Sequence, residues 1–357
     1  MANTKYEIID DKVKLSNILQ KKQLLYIPNA EKIEVFRIRA LKDFGDVKKG
    51  DLGGYVESED NLGTIDDCWI YCDSVVCGKA KVLHGAKMYD TAFAGDDVEV
   101  KDSALVTGCS VITGNSRIVN YAEVSNAVID SSDVLGYAKV KISSTCACWR
   151  TNLKKARVKN YADISEDAYI DDSCISGCAR VHGHATVRKG STVTDYADVS
   201  GTAVVGGTHG KVKISEYATI TGAATVADEA RVRGHAIIDG RARLMHRSTV
   251  GDSAKVLDKA KIMEDAYIGG RSIIYGDTTI KGGGCIEDVT IGIPPNEAPF
   301  VIDFDLKGGC GVHLPINLDE YYPVGAIYMS SVNDVTPEKL FGGTWRELAL
   351  GVWERIS

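Results

Sequence analysis

A six-residue repeat extends from about residue 68 to residue 281 and constrains the fold of this 357-residue chain more than any other feature. Each repeat contains a small residue, a variable residue and an aliphatic residue, as in residues 230–232 (Ala-Arg-Val) and 236–238 (Ala-Ile-Ile). On an α-helix, aliphatic residues six positions apart would point about 240° apart and would form no single buried stripe. On a strand, side chains alternate, so the small and aliphatic residues face inward together. The repeat therefore predicts short strands.

Turns separate the predicted strands. Gly, Asp and Asn tolerate a positive φ, and such residues fall between the aliphatic positions, for example at Gly234, Gly240 and Asp258. Parallel coils can then satisfy each other's backbone groups and stack their inward aliphatic residues in columns. Few aromatic residues (7%) and many glycines (36) also suit a thin solenoid better than a thick core. The predicted columns contain Val226, Val232, Ile238, Val250, Val256, Ile262 and Ile268.

This pattern resembles the hexapeptide-repeat family. The resemblance implies an all-β fold, a left-handed parallel β-helix whose triangular coils each contain three repeats. About 36 repeats give about 12 coils between residues 67 and 283. Residues 209–211 form a three-residue insertion, and residues 144–155 place Cys146 and Asn152 where aliphatic residues belong. We expect the second stretch to be the weakest part of the β-helix.

Residues 1–66 do not fit the repeat and are predicted to form an N-terminal β cap or attachment domain. A cap is expected because the open edge of a first coil would recruit strands from other molecules. Three segments have the composition of short strands, namely residues 5–9, 24–27 and 35–41. Residues 36–62 resemble the leader that precedes such repeats in a group of bacterial and bacteriophage-encoded proteins, and this resemblance covers residues 1 to about 283.

The repeat fades after residue 283. Residues 284–320 are predicted to be a linker or capping segment, and residues 321–357 a small C-terminal β module. The phrases Tyr-Pro-Val-Gly-Ala-Ile-Tyr-Met (322–329) and Leu-Phe-Gly-Gly-Thr-Trp (340–345) resemble the C-terminal module of bacteriophage tail-fibre and collar virion proteins. Such modules often carry a long Gly- and His-rich insert before the final strand, which this chain lacks. The residues that define the module here are Pro323, Gly325, Tyr328, Phe341, Gly342, Gly343, Trp345 and Trp353.

Composition argues against several classes of partner. A net charge of -7 disfavours nucleic acid as the main partner, because basic surfaces drive that binding. No apolar run approaches the roughly 20 residues that cross a membrane, and the first residues lack the apolar core of a signal peptide. Among the ten cysteines, the pair at 146/148 is too closely spaced for a usual zinc pair, and the pair at 174/178 has no second pair at ligand spacing. We therefore expect reduced structural thiols, no metal and no cofactor.

Histidine is the residue that an acyl-transferring member of the hexapeptide-repeat family would use as a general base. The resemblance implies an imidazole in a cleft between subunits, within reach of a bound hydroxyl or amine. Nearly all candidates here fall at turn or outward positions, where a solvated imidazole is expected, and no acyl-donor motif is found. We therefore predict no catalytic residue. The histidines considered are His84, His182, His184, His209, His235 and His246.

Adjacent acidic residues support a glycan-cleaving enzyme only weakly. Such an enzyme needs two carboxylates a few ångströms apart in a groove. In a chain with 49 Asp and Glu residues, neighbouring acids such as those at 96–97 and 264–265 arise without catalysis, and they are expected to be solvated. No repeated Gly-Gly-x-Gly-x-Asp series indicates calcium between the turns.

Together these features favour a bacteriophage virion structural protein. The expected molecule is a homotrimeric fibre or spike subunit in which the β-helix is a rigid spacer for adhesion or host attachment. Expected partners are other virion proteins and a host-surface glycan or protein receptor, with no nucleic acid and no membrane insertion. The expected location is the virion, after synthesis in the bacterial cytoplasm. The alternative is a bacterial acyltransferase-like protein of the hexapeptide-repeat group.

Overall fold

The computed structural model describes residues 4–22, 30–142, 152–208, 210–292, 300–303, 327–329, 345–349 and 352–355. The chain divides into two compact units, Met1–Gly201 and Thr202–Ser357. Both consist mainly of short strands, and together they contain about 13 turns of a parallel β-solenoid that matches a left-handed parallel β-helix. The predicted fold class is confirmed, and the number of turns is close to the expected 12.

An N-terminal cap precedes the first coil. It contains strand β1 (Tyr6–Lys14), helix α1 (Leu15–Lys22), strand β2 (Glu34–Ala40), strand β3 (Leu52–Val56) and a single 3₁₀ turn (Glu59–Asn61). β1 pairs antiparallel with β2, and β2 pairs antiparallel with β3. β3 then pairs in parallel with Val75–Val76 of the solenoid. The cap therefore covers an edge that would otherwise expose unpaired backbone groups.

Helix α1 was not predicted. Its buried residues Leu15, Ile18 and Leu19 follow helical i, i+3, i+4 spacing. They belong to one apolar cluster with Val75 of the solenoid, so α1 adds buried apolar surface where the cap meets the coils. The strand predicted at residues 24–27 lies outside the described residues. No helix in the described part of the chain has both the length and the apolar character that crossing a membrane requires.

In the first unit, the solenoid strands form three parallel sheets, named 1A, 1B and 1C here. Sheet 1A contains Val75–Val76, Phe93–Ala94, Val111–Thr113, Val128–Asp130, Leu153–Lys154, Tyr169–Asp171 and Thr186–Val187. Sheet 1B contains Trp69–Ile70, Lys87–Met88, Leu105–Thr107, Glu123–Ser125, Lys139–Ile142, Asp163–Glu166, Arg180–Val181 and Asp198–Val199. Sheet 1C contains Lys81–Val82, Glu99–Val100, Arg117–Ile118, Asp133–Val134, Arg157–Val158, Cys174–Ile175 and Thr192–Val193.

The second unit repeats this arrangement with sheets 2A, 2B and 2C. Sheet 2A contains Val204–Val205, Thr225–Val226, Arg243–Leu244, Lys261–Ile262, Thr278–Lys281 and Phe300–Asp303. Sheet 2B contains Thr219–Ile220, Ile237–Ile238, Lys255–Val256, Ile273–Tyr275 and Thr290–Gly292. Sheet 2C contains Lys213–Ile214, Arg231–Val232, Thr249–Val250, Tyr267–Gly269 and Cys285–Glu287. Parallel pairing thus continues beyond the predicted boundary at residue 283, as far as Asp303.

Inward aliphatic residues stack from coil to coil. Val232 lies beside Val250, and Val250 lies beside Ile268, so regular coils are in register every 18 residues. Ile238 lies beside Val256 in the same way. The stacked residues are fully buried and the intervening outward residues are not, as strand alternation requires. The residues assigned to columns all have 0% exposure, namely Val226, Val232, Ile238, Val250, Val256, Ile262 and Ile268.

Irregular coils keep the columns intact. Val205 pairs with Val226, so this coil is three residues longer than the regular 18, which agrees with the insertion at residues 209–211. Leu153, not Asn152, fills the aliphatic position here, because Leu153 pairs with Ile129 and Ile170 and is 0% exposed, whereas the neighbouring Asn152 is 5% exposed. Its Oδ1 accepts a hydrogen bond from the Val128 backbone N–H (3.0 Å), so the buried amide oxygen is satisfied. Cys146, the other predicted departure from the repeat, lies outside the described residues.

Side chains at the coil corners connect one coil to the next. Positive φ angles occur at Glu216 (61°), Asp252 (55°) and Asp258 (58°). The Glu216 carboxylate accepts a hydrogen bond from Gly234 N–H (2.9 Å), and Asp252 accepts one from Gly270 N–H (3.0 Å). Gly234 has φ 71°, and a Cβ there would lie 2.5 Å from the Asp252 carbonyl oxygen. The predicted turn residues therefore provide both the corner conformation and a bond to the adjacent coil.

A charged row on sheet 1C also links successive coils. Asp133 pairs with Arg117 on one side and Arg157 on the other. Its carboxylate accepts hydrogen bonds from Arg117 Nε (2.9 Å) and Nη2 (2.7 Å), and Arg157 Nε lies 3.5 Å away. The Asp133 side chain is only 13% exposed. The hydrogen bonds from Arg117, more than its charge or that of Arg157, hold the pKa of Asp133 below its ordinary value.

A three-stranded antiparallel sheet lies near the C-terminus. Val352–Arg355 is the central strand, between Ile327–Met329 and Trp345–Ala349. Tyr328 pairs with Trp353, and Trp345 pairs with Arg355. The first phrase therefore ends in a strand, and another strand begins at Trp345, the last residue of the second phrase. The remaining residues of the predicted module lie outside the described part of the chain, namely Pro323, Gly325, Phe341, Gly342 and Gly343.

Val232→Asp should lower the melting temperature by about 10 °C or more, because it buries an unpaired charge between aliphatic side chains. Thermal unfolding followed by circular dichroism measures the change. The matched control is Arg231→Asp on the same strand, where the side chain is exposed, and its effect should stay within about 2 °C. Equal melting temperatures for the two variants would contradict the assigned register.

Asp133→Asn should lower the free energy of unfolding at pH 7 by about 1 kcal/mol, because two partly exposed arginines lose their carboxylate. The folded pKa of Asp133 is lowered, so its stabilisation is complete above the unfolded value of about 3.8 and disappears as the pH falls through the folded pKa. Urea unfolding of both proteins from pH 7 to pH 3 should therefore show a difference that shrinks below about pH 4. Asp97→Asn, at an exposed pair with Lys79 (3.6 Å), is the control; a larger loss there would contradict this account.

Candidate functional site

His182 and Asp198 form a close side-chain pair on the outer surface of sheet 1B. His182 directly follows the strand Arg180–Val181, and its backbone N–H donates to the Val199 carbonyl oxygen (2.9 Å). Arg180 pairs with Asp198 in the adjacent coil, so Asp198 lies diagonally opposite His182. The His182 Nε2 atom is 3.1 Å from Asp198 Oδ1. The parallel register thus places an imidazole against a carboxylate.

The partner of Nε2 determines which ring nitrogen can accept a proton. A carboxylate only accepts hydrogen bonds, so the Nε2 atom of His182 carries the hydrogen in this contact. The Nδ1 atom of the neutral ring then holds the free lone pair. Both side chains are 27% exposed, which leaves the ring accessible while its orientation is fixed. A base held in one tautomer by a carboxylate has the arrangement that proton abstraction requires.

Arg180 completes the cluster. Its Nη1 atom lies 3.8 Å from Asp198 Oδ2, on the carboxylate oxygen that His182 does not contact. At this distance the contact is electrostatic. Because the guanidinium is 61% exposed, water screens the attraction. Asp163 pairs with Arg180 from the preceding coil, which places a second carboxylate in the same outward row. The imidazole of His182 therefore lies beside an outward row of alternating charge formed by Asp163, Arg180 and Asp198.

Two other histidines approach carboxylates but are much more exposed. His84 Nδ1 is 3.1 Å from Asp102 Oδ1, with the imidazole 56% exposed. His184 Nδ1 is 3.6 Å from Asp167 Oδ2, with the imidazole 71% exposed. Both pairs lie at coil corners, where water competes for each hydrogen bond. Of the three pairs, His182–Asp198 is the most shielded from solvent.

The remaining described histidines are engaged in cross-coil contacts. His246 has a positive φ of 60°, and its Nδ1 accepts a hydrogen bond from the Glu264 backbone N–H (3.2 Å). It therefore takes the place of the Asp and Glu residues at other corners, and its lone pair is already used. His235 stacks on Tyr217, with ring centroids 4.8 Å apart. His209 lies outside the described residues.

In the sequence, His182 was a candidate general base without an assigned role, and Asp198 was not identified as its partner. An acid 18 residues away would have been recognisable as the same position in the next coil, as for His84 and Asp102. Asp198 is 16 residues from His182, because the contact is diagonal across the strand pair. That offset becomes visible only once the register of the two coils is known. The prediction that no residue is catalytic stays a prediction.

Acidic residues at the corners have structural partners. At the pair singled out at positions 96–97, Asp96 accepts a hydrogen bond from Gly114 N–H (2.9 Å), and Asp97 lies 3.6 Å from Lys79 Nζ. Within the described ranges, no group of three or more His, Cys, Asp or Glu side chains is arranged to hold a metal ion. At this position the two acids therefore connect adjacent coils.

Most described cysteines are free thiols, namely Cys68, Cys72, Cys77, Cys174, Cys178 and Cys285. Burial raises the pKa of Cys77 to about 12, so this thiol stays protonated and packs as a small apolar group. Cys109 is the exception to the expected reduced state, because it is disulfide-bonded. Cys68 is buried at a small inward position of the repeat, as its place in the sequence suggested.

Comparison with known proteins supports the solenoid and changes the functional interpretation. No protein-family model matches the chain. The chain is 24% identical over 222 residues to the Escherichia coli (strain K12) protein named uncharacterized acetyltransferase YdcK, covering 47% of this chain and 67% of that protein. This similarity and the solenoid topology support a hexapeptide-repeat-like β-helix architecture.

The expected bacteriophage virion role is wrong. The expectation depended on two short C-terminal phrases and on the resemblance of residues 1 to about 283 to a group that includes bacteriophage-encoded proteins, whereas the similarity to an acetyltransferase extends over 222 residues. That similarity and the β-helix fold favour the acyltransferase-like alternative over a fibre or spike subunit. The viral, tail-fibre and host-attachment assignments have no support from the comparisons. The prediction of a hexapeptide-repeat-like β-helix architecture is still supported.

Proposed function

We propose that this chain is an acyltransferase-like protein that transfers an acetyl group from acetyl coenzyme A to a nucleophilic hydroxyl or amine. The observation that carries the proposal is the similarity over 222 residues to a protein named as an acetyltransferase. The β-solenoid and the His182–Asp198 pair support it. In this proposal His182 is the general base and Asp198 is its positioning residue.

The chemistry assigns one proton transfer to His182. Nδ1 removes the proton from the acceptor hydroxyl or amine as its oxygen or nitrogen attacks the thioester carbonyl carbon. A new C–O or C–N bond forms, the C–S bond breaks, and the coenzyme A thiolate leaves and takes up a proton. Asp198 keeps the proton on Nε2 and stabilises the imidazolium that forms, across the 3.1 Å contact.

The position of the pair implies that another surface must cover it. His182 lies on the outside of a coil whose interior is filled by residues such as Val181 and Val199, both 0% exposed. An outward side chain on a filled coil has no deep pocket of its own, whereas ligand sites are concave. We propose that the chain forms a homotrimer in which a neighbouring chain provides the second wall of the site.

His182→Ala should lower the rate of thiol release from acetyl coenzyme A by about 10²- to 10⁴-fold in the presence of an amine or hydroxyl acceptor, because the general base is removed. Binding of acetyl coenzyme A, measured by isothermal titration calorimetry, should be retained. The matched control is His84→Ala, which removes an imidazole with the same 3.1 Å contact to a carboxylate. Its rate should equal that of the unaltered chain.

Asp198→Asn should lower the same rate less than His182→Ala does, because the base remains but its tautomer is no longer fixed. Equal rates for the His182 and His84 variants would contradict the assigned base. A chain that neither binds acetyl coenzyme A nor releases thiol with any of a panel of amines and hydroxyl compounds would contradict the proposed function itself.

The chain should sediment as three copies at micromolar concentration in analytical ultracentrifugation, independently of its catalytic rate. If the trimer provides the second wall, dilution that dissociates it should also abolish thiol release. A monomer with full activity would contradict the covering role of a second chain while leaving the general base untouched.

A further inference from the structure

A lysine and a cysteine that are distant in sequence meet in the interior of the first unit. Lys5, immediately before β1, is 1% exposed, and Cys68, at the start of the first coil, is 0% exposed. The Lys5 Nζ atom lies 3.2 Å from the Cys68 Sγ atom. Buried lysines are rare, because a charged ammonium loses its hydration. This buried pair therefore links the N-terminal cap to the first coil of the solenoid.

We propose that Lys5 and Cys68 are a peroxide-responsive modification site, at which the Nζ and Sγ atoms become joined by a covalent sulfur–nitrogen bond. The two atoms already lie in contact, so bond formation needs little movement of either backbone. The oxidant in this proposal is hydrogen peroxide, which is small enough to enter where a protein or a large thiol cannot.

The surroundings of Nζ orient it and lower its pKa. The amine also donates to the Cys68 carbonyl oxygen (2.8 Å) and the Gly63 carbonyl oxygen (3.2 Å), and lies 4.7 Å from the centre of the Phe44 ring. Burial is the largest influence on Lys5 and lowers its pKa, opposed by Cys68 and by Asp66 and Asp67. A lower pKa increases the fraction of neutral amine, which is the nucleophile.

Only a thin segment separates the thiol from solvent. Residues 64–67 are exposed, with Ile65 74% exposed, and Cys68 follows them directly. The Cys68 Sγ atom lies 3.4 Å from the Gly63 carbonyl oxygen and 3.7 Å from the Ile65 carbonyl oxygen, so this segment folds over the sulfur. Local opening of an exposed turn costs far less than global unfolding. Burial raises the pKa of the Cys68 thiol, and peroxide reacts with the thiolate, so Sγ becomes reactive only when such opening admits water. Strand β1 keeps Lys5 in place during the opening.

The reaction has two balanced steps. Hydrogen peroxide first oxidises the Cys68 thiol to a sulfenic acid and is reduced to water, so that R–SH and H₂O₂ give R–SOH and H₂O. The Lys5 amine then attacks the sulfenic sulfur, the S–O bond breaks, and hydroxide leaves with one amine proton as a second water. The product is R–S–NH–R′, and a thiol reductant returns both side chains to their original form.

The bond would fasten the cap to the first coil. It would join positions 5 and 68 and close a loop that includes β1, α1, β2 and β3. A covalent link across a loop of this length restricts the unfolded chain and raises the melting temperature. The site therefore couples peroxide exposure to retention of the cap over the edge of the solenoid.

The test treats the full-length chain with hydrogen peroxide, digests it without reductant, and analyses the peptides by mass spectrometry. The expected result is a joined species containing residues 5 and 68, with the summed mass of the two peptides less two hydrogens. Dithiothreitol should separate them, and the melting temperature should rise by several degrees on oxidation and return on reduction. Cys72, which is exposed, provides the internal comparison.

Lys5→Arg preserves a cation with hydrogen-bond donors but replaces the amine with a poorly nucleophilic guanidinium, so the joined species should disappear. Because this variant could lose its cap, the reversible joining in the unaltered chain is the deciding measurement. Oxidation of Cys68 to sulfinic acid with the two peptides still separate would overturn the proposal. Oxidation of Cys72 with Cys68 unreacted would overturn it as well.

Discussion

Each coil depends on the adjacent coil for its backbone hydrogen bonds. The strand Arg231–Val232 is two residues long, far too short to persist alone. Its neighbours complete it: Arg231 N–H donates to the Ser248 carbonyl oxygen (2.9 Å), and Arg233 N–H donates to that of Val250 (3.0 Å). The aliphatic column beneath provides the apolar burial. Stability in each unit is therefore shared between neighbouring coils, as in other repeat proteins.

This dependence matters at the first coil, which has a neighbouring solenoid coil on only one side. The cap solves the problem with antiparallel strands that end in β3, whose parallel pairing with Val75–Val76 continues the pattern of the solenoid. Antiparallel pairing within the cap needs no long crossover, so a short segment can form the closure. Lys5 adds polar contacts beneath it, with the Gly63 and Cys68 carbonyl oxygens. The cap is thus held to the first coil by backbone hydrogen bonds between strands and by side-chain hydrogen bonds.

The sequence could predict what is periodic and local. Val232 and Val250 are recognisable as inward residues because strand alternation and coil length determine which way they face. The corner residues are recognisable because only some residue types accept a positive φ. Helix α1 was missed because three apolar residues within eight give a weak helical pattern. The coils after residue 283 were missed because Ile286, Ile291 and Ile302 no longer follow a six-residue spacing, although the parallel pairing persists.

The candidate site was harder to predict because its contacts depend on three-dimensional register. The His182–Asp198 and Lys5–Cys68 pairs each join residues that no local pattern relates, at separations of 16 and 63. Two short C-terminal phrases, in contrast, were recognisable in the sequence and contributed to the wrong function. The strands Ile327–Met329 and Val352–Arg355 form part of a small antiparallel sheet, and a sheet alone does not specify a biological function.

The filled interior of a solenoid limits where reactive side chains can lie. Inward positions are filled by aliphatic side chains, and corner carboxylates such as Asp96 and Asp252 are committed to backbone N–H groups of the next coil. Reactive groups must therefore come from outward strand positions, where Asp198 lies, or from residues just after a strand, such as His182. His84 and His182 have the same 3.1 Å contact with a carboxylate but differ twofold in exposure. A base surrounded by water has little advantage over water itself. In the proposed function, His182 therefore needs the surface that a second chain would provide.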